Sequence, residues 1–290
     1  MMIESVDLRK EYGDVVAVGG STFSVETGEI FGLVGPNGAG KTTTLKILSG
    51  LIEPTSGSAT VAGYDSRDRE MRRRLGFLPE DSPLYEEMTA RTYLRFFADL
   101  YDVPRETANE RIESTLDRLD LEARDRPLGN VSKGMKRKVA IARSLVNDPE
   151  VLIYDEPASG LDPLTTNAII EFVEELSEER TVVFSAHNLY HVETLCDRVA
   201  IMLDGEIVAQ GTVPEIQAEH GGVEYRVYTS VPVDGAKPRD DRYLSVVEDM
   251  AAVEAIRDDA EDAGGEVLDV RTHEPSLEEV FLAVAEGADA

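Results

Sequence analysis

Cysteine, lysine and long apolar runs are all scarce in this chain. A single cysteine, Cys196, leaves no possibility of an internal disulfide. It falls in the helical pattern Leu189, Val192, Leu195, Cys196, Val199 and is expected to be buried packing, not a reactive thiol. Apolar stretches such as Val151-Leu152-Ile153-Tyr154 and Val199-Ala200-Ile201-Met202-Leu203 fall far short of the roughly 20 residues a bilayer-crossing helix needs. The first residues carry Glu4, Asp7, Arg9 and Lys10 and lack the apolar core of a signal peptide. A cytosolic protein is therefore expected, with any membrane work left to a partner.

Basic charge is also short. Only 7 of the 29 basic residues are lysine, set against 57 acidic residues, and the net charge is −28. So acidic a surface repels itself at ordinary ionic strength. At ~1 M salt the screening length falls to roughly 3 Å and that repulsion largely vanishes. The balance therefore predicts a halophilic protein, from a host that keeps molar salt in its cytosol, with an ordinary acidic protein as the alternative. The same field argues against a nucleic-acid partner. Hydrophobic residues at 42% and charged residues at 30% fit a soluble globular protein. The 290 residues suffice for one large domain and a small one.

No fixed-period repeat or low-complexity segment is present. Residues 1 to 31 read as short strands: Ile3 to Leu8, Val15 to Val18, Ser21 to Val25 and Ile30 onward. Residues 84 to 145 read mainly as a helical insert, with Ile112, Leu116, Leu119 and Leu94, Phe97, Tyr101 at helical spacing. Strands and helices then alternate: Val151 to Tyr154, Pro163 to Glu179, Thr181 to Ser185, Leu189 to Cys196. That alternation predicts a mostly parallel sheet covered by helices. Asp204-Gly205 joins two apolar runs as a two-residue hairpin. Past His220-Gly221-Gly222 a second unit is expected. It has a strand at Val223 to Thr229, a helix at Asp249 to Ala263, a strand at Glu266 to Arg271 and a helix at Pro275 to Ala283. The expected domains are 1–220 and a small acidic α+β domain, 221–290. The basic run Arg67, Arg69, Arg72, Arg73, Arg74 reads as a solvated helix face.

Gly35-Pro36-Asn37-Gly38-Ala39-Gly40-Lys41-Thr42 fits the P-loop pattern G-x-x-x-x-G-K-[ST], with an apolar strand before it and a helix after it. Its glycines let consecutive backbone N–H groups curl around phosphate oxygens. The helix N-terminus adds partial positive charge. Lys41 would span the β- and γ-phosphates, and Thr42 would offer its hydroxyl to Mg²⁺. The site also needs a metal carboxylate and a group that activates water. Asp155-Glu156 supplies both at the end of the apolar strand Val151 to Tyr154, the edge where such sheets bind ligands. Asp155 would reach Mg²⁺ through water, and Glu156 would orient or deprotonate the attacking water. His187 follows another apolar strand and could donate to a γ-phosphate oxygen. Val131-Ser132-Lys133-Gly134-Met135 opens a basic helix capped by Ser132, a second candidate anion site. Taken alone, it reads as a capped surface helix.

The order of these motifs, with Ser159-Gly160-Leu161-Asp162 and His187 after them, resembles the ABC ATPases across residues 1 to about 215. That resemblance implies a P-loop NTPase α/β core with an N-terminal antiparallel β subdomain and a helical insert. It implies ATP and Mg²⁺ as cofactors, bound by Tyr12 against adenine and by Gly35, Pro36, Asn37, Gly38, Ala39, Gly40, Lys41, Thr42 and Thr43. It implies a head-to-tail homodimer or heterodimer, in which Ser132, Lys133, Gly134 and Met135 close on the partner's ATP and Asp162 lies at the seam. A polytopic membrane subunit is the further partner, which puts the protein peripherally on the inner face of the cell membrane.

Two departures stand out. The family's Leu-Ser-Gly-Gly-Gln signature is here Val131-Ser132-Lys133-Gly134-Met135. The usual glutamine that senses Mg²⁺ aligns with Glu80, still an oxygen ligand but a charged one. Both departures resemble the branch serving drug, antibiotic or sodium efflux, as does the segment Glu274-Pro275-Ser276-Leu277-Glu278-Glu279-Val280-Phe281-Leu282. The expected function is therefore the ATP-hydrolysing subunit of an export-type ABC transporter. The rival is a soluble ABC-type ATPase acting on ribosomes or DNA. Such proteins often carry two ATPase units or a long coiled-coil insertion, whereas this chain has one P-loop.

Overall fold

The computed structural model describes residues 1–186, 188–220, 224–273 and 275–288. His187, Gly221, Gly222, Val223 and Glu274, all used in the sequence reading, lie outside the described residues. Two compact units divide the chain, Met1–Gly211 and Thr212–Ala290.

The first half of unit one contains β1 (Ile3–Tyr12), β2 (Val15–Val25), β3 (Ile30–Val34), α1 (Lys41–Leu48), β4 (Ser56–Val61), β5 (Tyr64–Asp65), α2 (Arg69–Arg73) and β6 (Leu75–Leu78). Next come α3 (Ala90–Leu100), α4 (Arg105–Arg118) and α5 (Lys133–Ser144), the helical insert. β7 (Val151–Asp155), α6 (Pro163–Ser177), β8 (Thr181–Ala186), α7 (Leu189–Leu195), β9 (Arg198–Leu203) and β10 (Glu206–Gly211) complete the unit.

Two sheets form. An antiparallel one runs β2-β1-β4-β5, and a six-stranded one runs β10-β9-β3-β8-β7-β6. All but the β10 edge pairing of the larger sheet are parallel. Its inner strands are covered on both faces, so β3 and β7 bury every residue, and their sequences are apolar runs instead of alternating ones. Phe23 and Phe31 stack with ring centroids 5.4 Å apart, joining the two sheets in one core.

One expectation fails in this unit. Val15–Val18 and Ser21–Val25 are a single strand, β2, because Gly19-Gly20 makes no turn. The Gly19 N–H instead donates to the Gly205 carbonyl at 2.7 Å, and the strand continues beside the β9–β10 hairpin. That hairpin is as expected: Asp204 and Gly205 have φ of 47° and 85°, and Leu203 pairs with Glu206. The insert helices start where local chemistry stops competing with them. Thr89 and Thr92 form a capping box at α3, and Ser132 caps α5. Cys196 closes α7 with its Sγ against Gly32, where an added Cβ would lie 2.8 Å from the sulfur. Burial pushes its thiol pKa up, the direction that disfavours the nucleophilic thiolate. The arginine run meets local partners. Arg67 pairs with Asp65, Arg72 donates to the Gly50 carbonyl, and Arg74 pairs with Glu150.

Unit two contains α8 (Val213–His220), β11 (Glu224–Thr229), β12 (Lys237–Arg239), β13 (Arg242–Val247), α9 (Met250–Asp262), β14 (Val267–His273) and α10 (Leu277–Ala288). Its antiparallel sheet runs β12-β13-β11-β14, and α9 sets Val253 and Ile256 against Val227. Helix α8 belongs here, packed on α10, so the division follows Gly211 and not residue 220.

Candidate active site

Parallel register decides where the site forms. Val34 pairs with Ala186, Asp155 with Ser185 and Leu78 with Tyr154, so β3, β8, β7 and β6 end at one edge of the sheet. The segments leaving that edge carry the phosphate loop, Glu156 and Glu80. A cavity of about 620 Å³ opens there, lined by Ala17, Asn37, Gly38, Ala39, Gly40, Lys41, Thr42, Thr43, Glu80, Glu156 and Ser159.

The loop is built by close approach. Gly40 has φ 103°, and an added Cβ would sit 2.4 Å from the Ala17 carbonyl oxygen. Only glycine fits there. Helix α1 starts at the next residue, so its first free N–H groups face the loop. Lys41 is buried and donates from Nζ to the Gly35 carbonyl at 2.7 Å and the Pro36 carbonyl at 3.1 Å. Burial lowers its pKa, and the charges of Glu156, Asp155 and Glu80 act against that shift.

The two neighbouring acids take different places. Asp155 is buried and accepts a hydrogen bond from the Ser185 hydroxyl at 2.5 Å. Glu156 reaches the cavity, and its backbone N–H donates to Ser185 Oγ at 3.1 Å. Glu156 has φ 48°, the left-handed region that side chains with a Cβ seldom occupy. Thr42, Glu80 and Asp155 offer oxygen donors suited to Mg²⁺. Among the described residues no cluster of three or more His, Cys, Asp or Glu could hold a metal alone. Thr42 and Glu80, which line the cavity, are hard oxygen donors of the kind that fit such a cation.

Several expected residues lie off the cavity wall. Tyr12 ends β1, half exposed, with Lys10 Nζ 5.2 Å from its ring centroid. Ser132, Lys133, Gly134 and Met135 sit at the start of α5 and do not line the cavity. Ser132 Oγ accepts from the Met135 N–H, and Lys133 Nζ reaches the Gly160 carbonyl at 3.1 Å. Gly134 packs against α6, where an added Cβ would come within 2.8 Å of Thr165 Cγ2. Asp162 is exposed and caps α6, accepting from the N–H and hydroxyl of Thr165, which lowers its carboxyl pKa.

Ala17 and Arg137 had no assigned place at the site in the sequence, and Ser159 appeared only within the motif Ser159-Gly160-Leu161-Asp162. Ala17 and Ser159 line the cavity through chain crossings that no local pattern encodes. Arg137, in the basic run that opens α5, looked like part of a solvated face, yet its side chain is buried.

An open parallel sheet with this loop, a buried Asp and a cavity-facing Glu defines a P-loop nucleotide hydrolase. Residues 18–159 match the ABC transporter family. The linearmycin resistance ATP-binding protein LnrL of Bacillus subtilis is 38% identical over 76% of this chain and 72% of its own. The Nod factor export ATP-binding protein I of Burkholderia orbicola is 39% identical over 73% of this chain and 72% of its own. A solved ATP-binding subunit of an ABC transporter superposes with a TM-score of 0.70, at 35% identity over 76% of this chain and 94% of that one. A dimeric ATP-binding cassette in a post-hydrolysis state, bound to ADP and Pi, gives 0.66 at 25% identity over 73% of this chain and 98% of that one. The chain belongs to the ATP-binding proteins of ABC transporters, a family of ATPases.

Proposed function

We propose that this chain is the ATPase subunit of an export-type ABC transporter, working from the cytosol on the inner face of the cell membrane. One observation carries the reading. The phosphate loop, Glu80 and Glu156 share one cavity, while the Ser132–Met135 helix start lies outside it. A second ATPase subunit, facing the first head to tail, would supply that helix start to the nucleotide. The dimeric cassette with ADP and Pi supports this arrangement. The similarity to a linearmycin resistance protein and a Nod factor export protein supports export.

On this reading Lys41 and the loop N–H groups bind the phosphates, Tyr12 stacks on adenine, and Glu156 holds and deprotonates the attacking water. Thr42, Asp155 and Glu80 hold Mg²⁺, which when bound neutralises phosphate charge. His187 donates to the γ-phosphate. Asp162 lies at the dimer seam. The insert presents Tyr85, Phe96 and Leu100 exposed, with Tyr85 and Phe96 packed edge-on at 5.9 Å. An apolar face of this kind suits the loops of a polytopic partner. Among the described residues no helix is long and apolar enough to cross a membrane.

The test is to recover tagged Glu156→Gln protein from host membranes in molar KCl with MgATP and identify what co-purifies. A stoichiometric polytopic membrane protein is expected. Recovery with ribosomes, with nucleic acid or alone would overturn the transporter role and favour the soluble rival.

The net charge of −28 further supports a molar-salt cytosol. Unfolding midpoints are expected to rise steadily from low to molar KCl as self-repulsion is screened. A flat salt response would refute this.

A further inference from the structure

Arg137 lies on the first turns of α5, with 9% of its surface exposed. Its guanidinium holds two separate strand ends at once. Nη2 donates to the carbonyls of Asp155 at 2.9 Å and Glu156 at 2.7 Å, and Nε donates to that of Pro157 at 2.7 Å. Nη1 donates to the carbonyls of Pro79 at 2.8 Å and Glu80 at 2.9 Å. The first group follows β7 and the second follows β6. Both segments deliver a carboxylate toward the cavity.

We propose that Arg137 is a positioning residue that ties the Ser132–Met135 helix to Asp155, Glu156 and Glu80 of its own subunit. The inference rests on reading the cavity as the ATPase site. The bonded carbonyls include that of Glu156, whose left-handed backbone is costly and needs outside support. Ser185 Oγ takes the Glu156 N–H, and Arg137 takes the carbonyl, so both peptide groups flanking this residue are held. Burial lowers the Arg137 pKa to about 10, so it stays cationic at neutral pH, and its charge faces Asp155 and Glu80. Motion of α5 then moves both acidic segments together. A lysine cannot replace it, because one ammonium has no planar fork to span two strand ends.

The experiment compares Arg137→Lys and Arg137→Gln with the parent and with Ile141→Val, a core truncation on the same helix. The readouts are kcat, KM for ATP, half-saturating Mg²⁺, ATP binding in EDTA, and Tm. For both Arg137 variants kcat is expected to fall at least tenfold and half-saturating Mg²⁺ to rise at least threefold. ATP binding in EDTA should stay within about threefold, since small misplacement near reacting groups harms chemistry most. Ile141→Val should lower Tm and leave kcat and Mg²⁺ dependence as in the parent. If Arg137→Gln does not fold, Arg137→Lys decides. Parental kcat and Mg²⁺ dependence in the Arg137 variants, whatever their Tm, would overturn the inference. A parent that hydrolyses no MgATP would instead overturn the reading of the cavity, and this inference with it.

Discussion

Replacing Glu156 with Gln is expected to lower kcat by roughly 10²–10⁴-fold, the usual contribution of a positioned general base. MgATP binding should change little. Glutamine keeps the shape of the side chain and loses only the charge and basicity. The phosphate loop lines the same cavity and keeps its sequence and backbone N–H groups. Lys41 loses one of the three carboxylates that favour its charge, while Asp155 and Glu80 remain. The signature of a base is therefore a split result: turnover collapses while nucleotide is retained. Steady-state phosphate release and equilibrium dialysis with ATP measure the two halves separately.

Removing Lys41 should cost both. Its Nζ is the cation nearest the loop carbonyls of Gly35 and Pro36, inside the cavity wall. A charge-assisted bond from ammonium to phosphate is about twice as strong as a neutral one. Lys41→Ala forfeits that bond and leaves two loop carbonyls to find other donors, at about 1–3 kcal/mol for each one left unsatisfied. The expected outcome is at least a tenfold loss of MgATP affinity and a hundredfold loss of turnover, since each ~1.4 kcal/mol is a factor of ten. A fluorescent-nucleotide titration beside the phosphate assay checks it. If Lys41→Ala and Glu156→Gln both keep parental turnover, the cavity is not where hydrolysis occurs.

The core of the site was legible because its signals are local. A loop of three glycines between a five-residue apolar strand and a helix has few alternatives, and β3 and α1 lie where those residues put them. Asp155 and Glu156 were legible for the same reason, at the end of an apolar run. What stayed hidden depends on residues distant in sequence. Gly19-Gly20 looks like a turn until Gly205 arrives beside it. Arg137 looks like its neighbours Lys136 and Lys138 until β6 and β7 converge on it. In unit two, β12 escaped notice because Lys237–Arg239 is short, exposed and contains Pro238. Helix α8 went unread, and its membership of unit two comes from α10, far along the chain.

The left-handed backbone at Glu156 sets durability against activity at a single position. A side chain longer than Asn or Gly in that conformation costs on the order of 1–3 kcal/mol. Against a total folding stability of about 5–15 kcal/mol, that is a large debt for one residue. A glycine there would take up the same backbone freely, so this position gives up firmness of folding to keep a carboxylate facing the cavity.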